Sequence, residues 1–256
     1  MKGKENIITK IGKKILFSGV TLINSLAIAT LVWETNAYAA DYQCVAAIAP
    51  EADLQGCDLS NANLTGVDLS KANLKNADLS GAILKEANLA EANLEDVNLT
   101  RTNLTGANLS KARLKQTNLT KTILLEANLS EAYLNGLKMK NADARRANFT
   151  AAQFTHAIAI DSMFDGANLS QAQLKAIYLS GNSFNNTNLN QIKLEDIKLN
   201  GVRLKQVGLK NFTDMSIAGE NNFNFSNAAN SIFLGAGLAV GLAIFSKIQT
   251  KRKRAD

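Results

Sequence analysis

Few residues of this chain are equipped for chemistry. It holds one histidine, His156, and two cysteines, Cys44 and Cys57. A single imidazole gives no His-based catalytic triad, and no His/Cys set has metal-ligand spacing. Carboxylates come nearer to a reactive arrangement: Asp58 and Asp78 lie twenty residues apart, so a chain that stacks with that period makes them neighbours. Two carboxylates held close push one pKa up, which is how acid/base dyads are built. A flat or convex face offers such a pair no cleft, however, and no Gly-rich phosphate loop or interleaving of basic and aromatic residues for nucleic acid accompanies it. The sequence predicts no catalytic residue, no metal and no cofactor. What it does specify is how Asp58, Asp78 and His156 are held.

Leu or Phe returns every fifth residue from Leu54 to Leu209, and Leu fills 25 of those 32 registers. A fixed period decides the architecture. Two positions before each centre the residue is small, usually Ala; in an extended chain it shares a face with the centre, and the polar residue between them points out. Leu137 and Asn182 are the exceptions at that small position. Five is a poor helical period, because each step turns roughly 140° from the last. It is also odd, so a plain strand would flip faces. The remaining two residues of each unit, rich in Gly, Asn, Ser and Lys, must therefore turn a corner.

A second period sets the number of sides. Ala87-Asn88-Leu89 recurs as Ala107-Asn108-Leu109, Ala127-Asn128-Leu129, Ala147-Asn148-Phe149 and Ala167-Asn168-Leu169. Four units per coil would stack these copies, with Asn88, Asn108, Asn128, Asn148, Asn168 and Asn188 in one amide ladder. The A-[DN]-L-x-x units resemble the pentapeptide-repeat family over residues 52–210. The resemblance implies an all-β fold, a right-handed four-sided parallel β-helix of about eight coils and roughly 38 Å at the spacing of paired strands.

The register weakens between Leu134 and Phe164, where Ala144 and Ala159 occupy centres. Phe149, Phe154 and Phe164 are placed to fill the lost volume. The same stretch sets His156, Ile158, Ile160 and Met163 outside, a candidate apolar patch for a protein partner.

The ends read as targeting segments. Lys2, Lys4, Lys10, Lys13 and Lys14, the apolar stretch Ile15 to Trp33 and the small-x-small site Ala37-Tyr38-Ala39 form a signal peptide over residues 1–39, or an uncleaved anchor. Residues 40–51 are then an N-terminal cap, 52–210 the β-helix and 211–230 a C-terminal cap or linker. Residues 231–256 read as a hydrophobic helix that anchors the chain in a membrane, with Lys251 to Arg254 in the cytoplasm; a cap on the open end of the rod is the alternative. Gly237 and Gly241 are spaced for close helix packing, hence a homodimer contact. The rod is expected on the outer side, in a periplasm or thylakoid lumen. There Cys44 and Cys57 are expected to be bridged, two free buried thiols being the alternative.

The chain's net charge of +6 is largely targeting charge. Within the rod, residues 40–100 carry 3 basic and 10 acidic side chains, and residues 101–210 carry 15 and 7. That polarity orients a partner or a second rod, unless it is merely a solvated surface. The reading is a non-catalytic structural or protein-interaction rod, exported and membrane-tethered, with an unknown protein partner and no nucleic acid. The resemblance also implies one alternative, and a β-helix architecture in general offers a second. A DNA-mimicking protector of a type II topoisomerase would need acid along the whole rod. A β-helix enzyme acting on polysaccharide would need a carboxylate cluster in a groove.

Overall fold

The computed structural model describes residues 42–204, 207–208 and 215–217. The signal segment, the C-terminal hydrophobic segment and its Gly237 and Gly241 lie outside these residues. Among the described residues no helix is long and apolar enough to cross a membrane.

A short helix, α1 (Tyr42–Ala46), opens the described chain and sets Val45 and Ile48 against the first coil. Cys44 is bonded to Cys57 in that coil, which ties the helix to the exposed end of the stack. From Asp53 onward every outward residue pairs in parallel with the one twenty positions later. Four such ladders run the length of the rod, one per side. Side A starts at Asp53, side B at Asp58, side C at Asn63 and side D at Asp68. The chain is therefore an all-parallel β-solenoid. In the first coils each side is a single paired rung between tight turns. Later, sides A and B lengthen into strands β1 (Lys138–Lys140), β2 (Gln153–Thr155), β3 (Ile158–Ile160), β4 (Gln173–Lys175), β5 (Tyr178–Ser180) and β6 (Lys193–Asn200). Strand β6 rounds a corner and so joins the β1-β3-β5 stack to the β2-β4 stack. Strand β7 (Met215–Ile217), within the segment expected to be a linker, pairs in parallel with β6.

The core follows from the five-residue unit. Leu centres from Leu54 to Leu134 and, from Ala62 onward, the Ala residues beside them are buried, while Leu189, Leu194, Leu199 and Leu204 near the far end are half-buried. The corner residue after each unit adopts the left-handed region, for example Glu91 at φ 61° and His156 at φ 54°. Non-glycine residues accept that conformation only when the surroundings over-determine it. Here the N–H of the corner residue bonds to the next coil, as Glu91 does to Ser110 O at 2.8 Å.

Where the small inward residue is Thr, its hydroxyl is buried and donates to a carbonyl of the preceding coil. Thr102, Thr117, Thr122 and Thr187 donate to Leu79, Leu94, Leu99 and Phe164 at 2.6–2.9 Å. Asn182 belongs to a different arrangement. On both flanks of side B the later corners open into bends, at Asn141, Asp161 and Gly181 and at His156 and Ala176. A tight corner bonds the small residue back to the preceding Leu, as Ala82 N–H does to Leu79 O at 3.0 Å. In the open corners Ala142 N–H donates to Ser162 Oγ at 3.1 Å and Ser162 N–H to Asn182 Oδ1 at 2.9 Å. Asn182 Nδ2 donates in turn to Ala159 O at 2.9 Å. Side-chain oxygens thus accept the Ala142 and Ser162 amides that the open corners at Asn141 and Asp161 release.

The weak register is repaired by aromatic rings. Phe149 lies 5.5 Å from Phe154 and 6.0 Å from Phe164 between centroids, and Phe164 stacks on Phe184 at 4.7 Å. A small apolar cavity of about 20 Å³ remains, lined by Ala159 and not by Ala144. With apolar walls it has nothing to hold a water.

Candidate interaction surface

The outward residues of the four ladders form the surface on which any function must be built. Side D is an amide ladder. Asn88 donates to Asp68 at 3.0 Å, Asn108 to Asn88 at 3.1 Å, Asn128 to Asn108 at 3.2 Å and Asn148 to Asn128 at 3.0 Å. Asn168 breaks the series by donating to Thr150 Oγ1 at 2.9 Å, and Asn188 resumes it by donating to Asn168 at 3.0 Å. The six asparagines expected to align thus stand in one column. Each Oδ1 also accepts the N–H two residues ahead, as in Asn128 with Ser130 at 3.2 Å, so the short side chain pins the chain as it approaches the corner. The same bond from Ser70, with Asn88 Nδ2, holds the Asp68 carboxyl below its ordinary range. Such a column has its polar groups satisfied by its own stack.

Asp58 and Asp78 are neighbours on side B, as the twenty-residue spacing requires. Each accepts the amide two residues ahead, from Ser60 at 2.9 Å and Ser80 at 2.8 Å, and Asp78 also accepts from Asn98 at 3.1 Å. These bonds serve the turn. Among the described residues no group of three or more His, Cys, Asp or Glu could hold a metal ion.

Of the residues in the candidate patch, Ile158 (42 % exposed) and half-buried Ile160 share strand β3 on side B, below Lys138 and Lys140 and above Tyr178. His156 is exposed at the corner before them. Met163 stands on the next side, C, beyond the corner at Asp161. The four residues therefore form two surfaces. Grouping them by sequence proximity misses that Met163 shares its ladder with Ile83 and Ile123, spaced by forty residues. The signal is present in the outward positions, where apolar residues are scarce.

Charges are mostly arranged between coils. Lys71 pairs with Glu51, Lys111 with Glu131, Arg146 with Glu126 and Lys175 with Glu195, while Glu95 meets both Lys75 and Arg113. Arg145 forks onto Asp143 at 2.8 and 2.7 Å, and that hydrogen bond holds the Asp143 carboxyl below its ordinary value. Most of these are exposed pairs of small individual worth.

Four closed ladders around one leucine-filled core, with satisfied polar columns outside, define a parallel β-solenoid that presents surfaces. The chain belongs to the pentapeptide repeat family, whose model matches residues 51–85, 82–120, 127–162 and 162–201 in eight copies. Solved structures similar to it include HetL, a pentapeptide repeat protein involved in heterocyst differentiation regulation in the cyanobacterium Nostoc sp. strain PCC 7120. That match has 24 % identity and a TM-score of 0.38, over 62 % of this chain and 87 % of HetL. QnrB1, a plasmid-mediated fluoroquinolone resistance protein, is 19 % identical with a TM-score of 0.49, over 59 % of this chain and 84 % of its own. A pentapeptide repeat protein from the Arabidopsis thaliana thylakoid lumen is 32 % identical with a TM-score of 0.37, over 40 % of this chain and 68 % of its own. No curated protein matches the chain.

Proposed function

We propose that the protein is a non-catalytic interaction rod, exported and held at a membrane by its C-terminal segment, which presents its outward ladders to a protein partner. The observation that carries this reading is the contrast between sides. Side D satisfies its polar groups within its own column, whereas side A exposes Tyr133, side B Ile158 and side C Ile83, Ile123 and Met163 beyond what the stack requires. Apolar groups left outside a self-sufficient core are available for contacts with other molecules. The basic first segment, the Ala37-Tyr38-Ala39 site and the basic tail after Phe245 support the export topology. Mimicry of duplex DNA is disfavoured by charge, because residues 101–210 carry 15 basic against 7 acidic side chains.

Cell fractionation with N-terminal sequencing tests the topology. The expected product begins at Ala40 on the outer side of a membrane; a full-length cytoplasmic protein would sink the export reading. Ile158→Lys with Ile160→Lys tests the surface. It should leave the far-UV spectrum unchanged and abolish recovery of the partner in a pull-down, and undiminished recovery counts against side B.

A further inference from the structure

Side C carries three exposed large apolar residues on one ladder: Ile83 at 37 %, Ile123 at 37 % and Met163 at 38 % exposure. Asn103 and Asp143 alternate with them, so the apolar residues recur every second coil and are symmetric about Ile123. Half-buried Leu125 lies two residues beyond Ile123, in the same position across the side as Lys85 and Asp165 in the coils of Ile83 and Met163. Lys85 is exposed and has no ion pair among the described residues.

We propose that side C is the contact between two copies of this chain, packed antiparallel about a twofold axis along the Ile123 rung. Rotation about such an axis reverses the rod but keeps each position across the side. Ile123 then meets Ile123 of the second copy, Leu125 meets Leu125, and Ile83 meets Met163. Asn103 meets Asp143, whose carboxylate also holds Arg145, and Lys85 meets Asp165, a pair of opposite charges in which Asp165 Oδ1 already accepts from Ser183 Oγ and the Asn185 N–H. Every heterotypic contact occurs twice, as an isologous interface requires.

The register is specific. Moving the axis one coil toward the N-terminus, onto Asn103, leaves Met163 with no apolar partner. Moving it one coil the other way, onto Asp143, sets that carboxylate against itself. A parallel arrangement, with its axis along the rod, would place Asp143 on Asp143, and like charges directly opposite are destabilising. Only the Ile123 axis pairs all three apolar residues while setting Lys85 against Asp165; Arg145, held by Asp143, then faces Thr105. Lys121 and Glu126, at the two corners beside Ile123, would each meet their own counterpart, but at an exposed rim where salt screens them. One side of the rod is a narrow face, smaller than the ~800 Å² per copy of a standard interface. The dimer is therefore weak in solution and favoured where local concentration is high.

Single-cysteine variants of the full chain test this, since Cys44 and Cys57 are already bonded to each other. Under mild oxidation Ile123→Cys should give a covalent dimer in several-fold excess over Asn108→Cys on side D. Asn103→Cys should stay at the Asn108→Cys level, because residue 103 faces residue 143. Lys85→Asp combined with Ile123→Cys should lower the yield several-fold, and adding Asp165→Lys should restore it. Equal yields from Ile123→Cys and Asn108→Cys would overturn the proposal, as would efficient linking through Asn103→Cys. A dimer made only through Gly237 and Gly241 gives the first of those results and counts against side C.

Discussion

Asn182 stands where nearly every other coil places a small residue, and its burial is complete. It makes no contact with water, so both ends of its amide must be used within the core, and they are: Oδ1 takes the Ser162 N–H and Nδ2 gives to Ala159 O. Its role is to replace the turn hydrogen bond that the open corner at Asp161 lacks. Asn182→Leu keeps the volume but strands the Ser162 amide and the Ala159 carbonyl. Each buried group left unsatisfied costs about 1–3 kcal/mol, so the variant should lose roughly 2–5 kcal/mol in urea unfolding. A loss under about 1 kcal/mol would mean that the corner re-closes as a tight turn and that Asn182 is dispensable. In the sequence Asn182 is only an exception to a pattern. Nothing local says that the stacked corners at Asn141, Asp161 and Gly181 have opened, because that geometry depends on residues twenty apart.

At the scale of the coil, the five-residue register makes the side, the corner and the stacking legible in the order of the amino acids. Inward and outward alternation leaves an extended chain no other arrangement, and the Asn88 to Asn188 column follows from it. Less legible is how a coil adapts when its centre is wrong. Ala144 and Ala159 look equivalent in sequence, yet the cavity of about 20 Å³ is lined by Ala159 and not by Ala144, with the Phe149, Phe154 and Phe164 rings gathered in the same two coils. The two positions should therefore respond in opposite directions. Ala159→Val adds two methyl groups toward free space and should be neutral or stabilising by up to about 1 kcal/mol. Ala144→Leu enlarges a fully buried centre that does not line this cavity and should cost about 1–3 kcal/mol through overpacking. Thermal unfolding of both variants decides the matter; equal losses would show that the cavity is too shaped to accept a branch. The candidate patch divides for a related reason. Linear proximity groups Ile158 with Met163, whereas the corner at Asp161 separates them and the twenty-residue stack joins Met163 to Ile123 instead.

For the whole molecule, the same ladders imply that the rod is a one-dimensional array in which each coil touches only its neighbours. Stability in such an array is approximately a sum of coil terms and coil–coil interface terms. The unit that can be removed without disturbing register is therefore twenty residues, one complete circuit of sides A to D. Excising Glu91 to Ser110 joins Ala90 to Lys111, which occupies the corner position Glu91 held. Every inward Leu keeps its side, and Asn88 then lies beneath Asn128 in the side D column. The α1 cap, the Cys44–Cys57 bond and the later Phe cluster are all outside the deletion. This variant should keep its β spectrum and unfold cooperatively, with a midpoint lowered by only a few degrees, since about 1 kcal/mol moves Tm by roughly 2–4 °C in a chain of this size. Excising eighteen residues, Glu91 to Asn108, removes two fewer but shifts the five-residue phase. Leu109 and Ser110 are then two extra residues at the corner between Ala90 and Lys111, so this variant should melt below the twenty-residue one. If the eighteen-residue deletion melted no lower than the twenty-residue one, the corner would tolerate two extra residues and the five-residue register would not be what sets it.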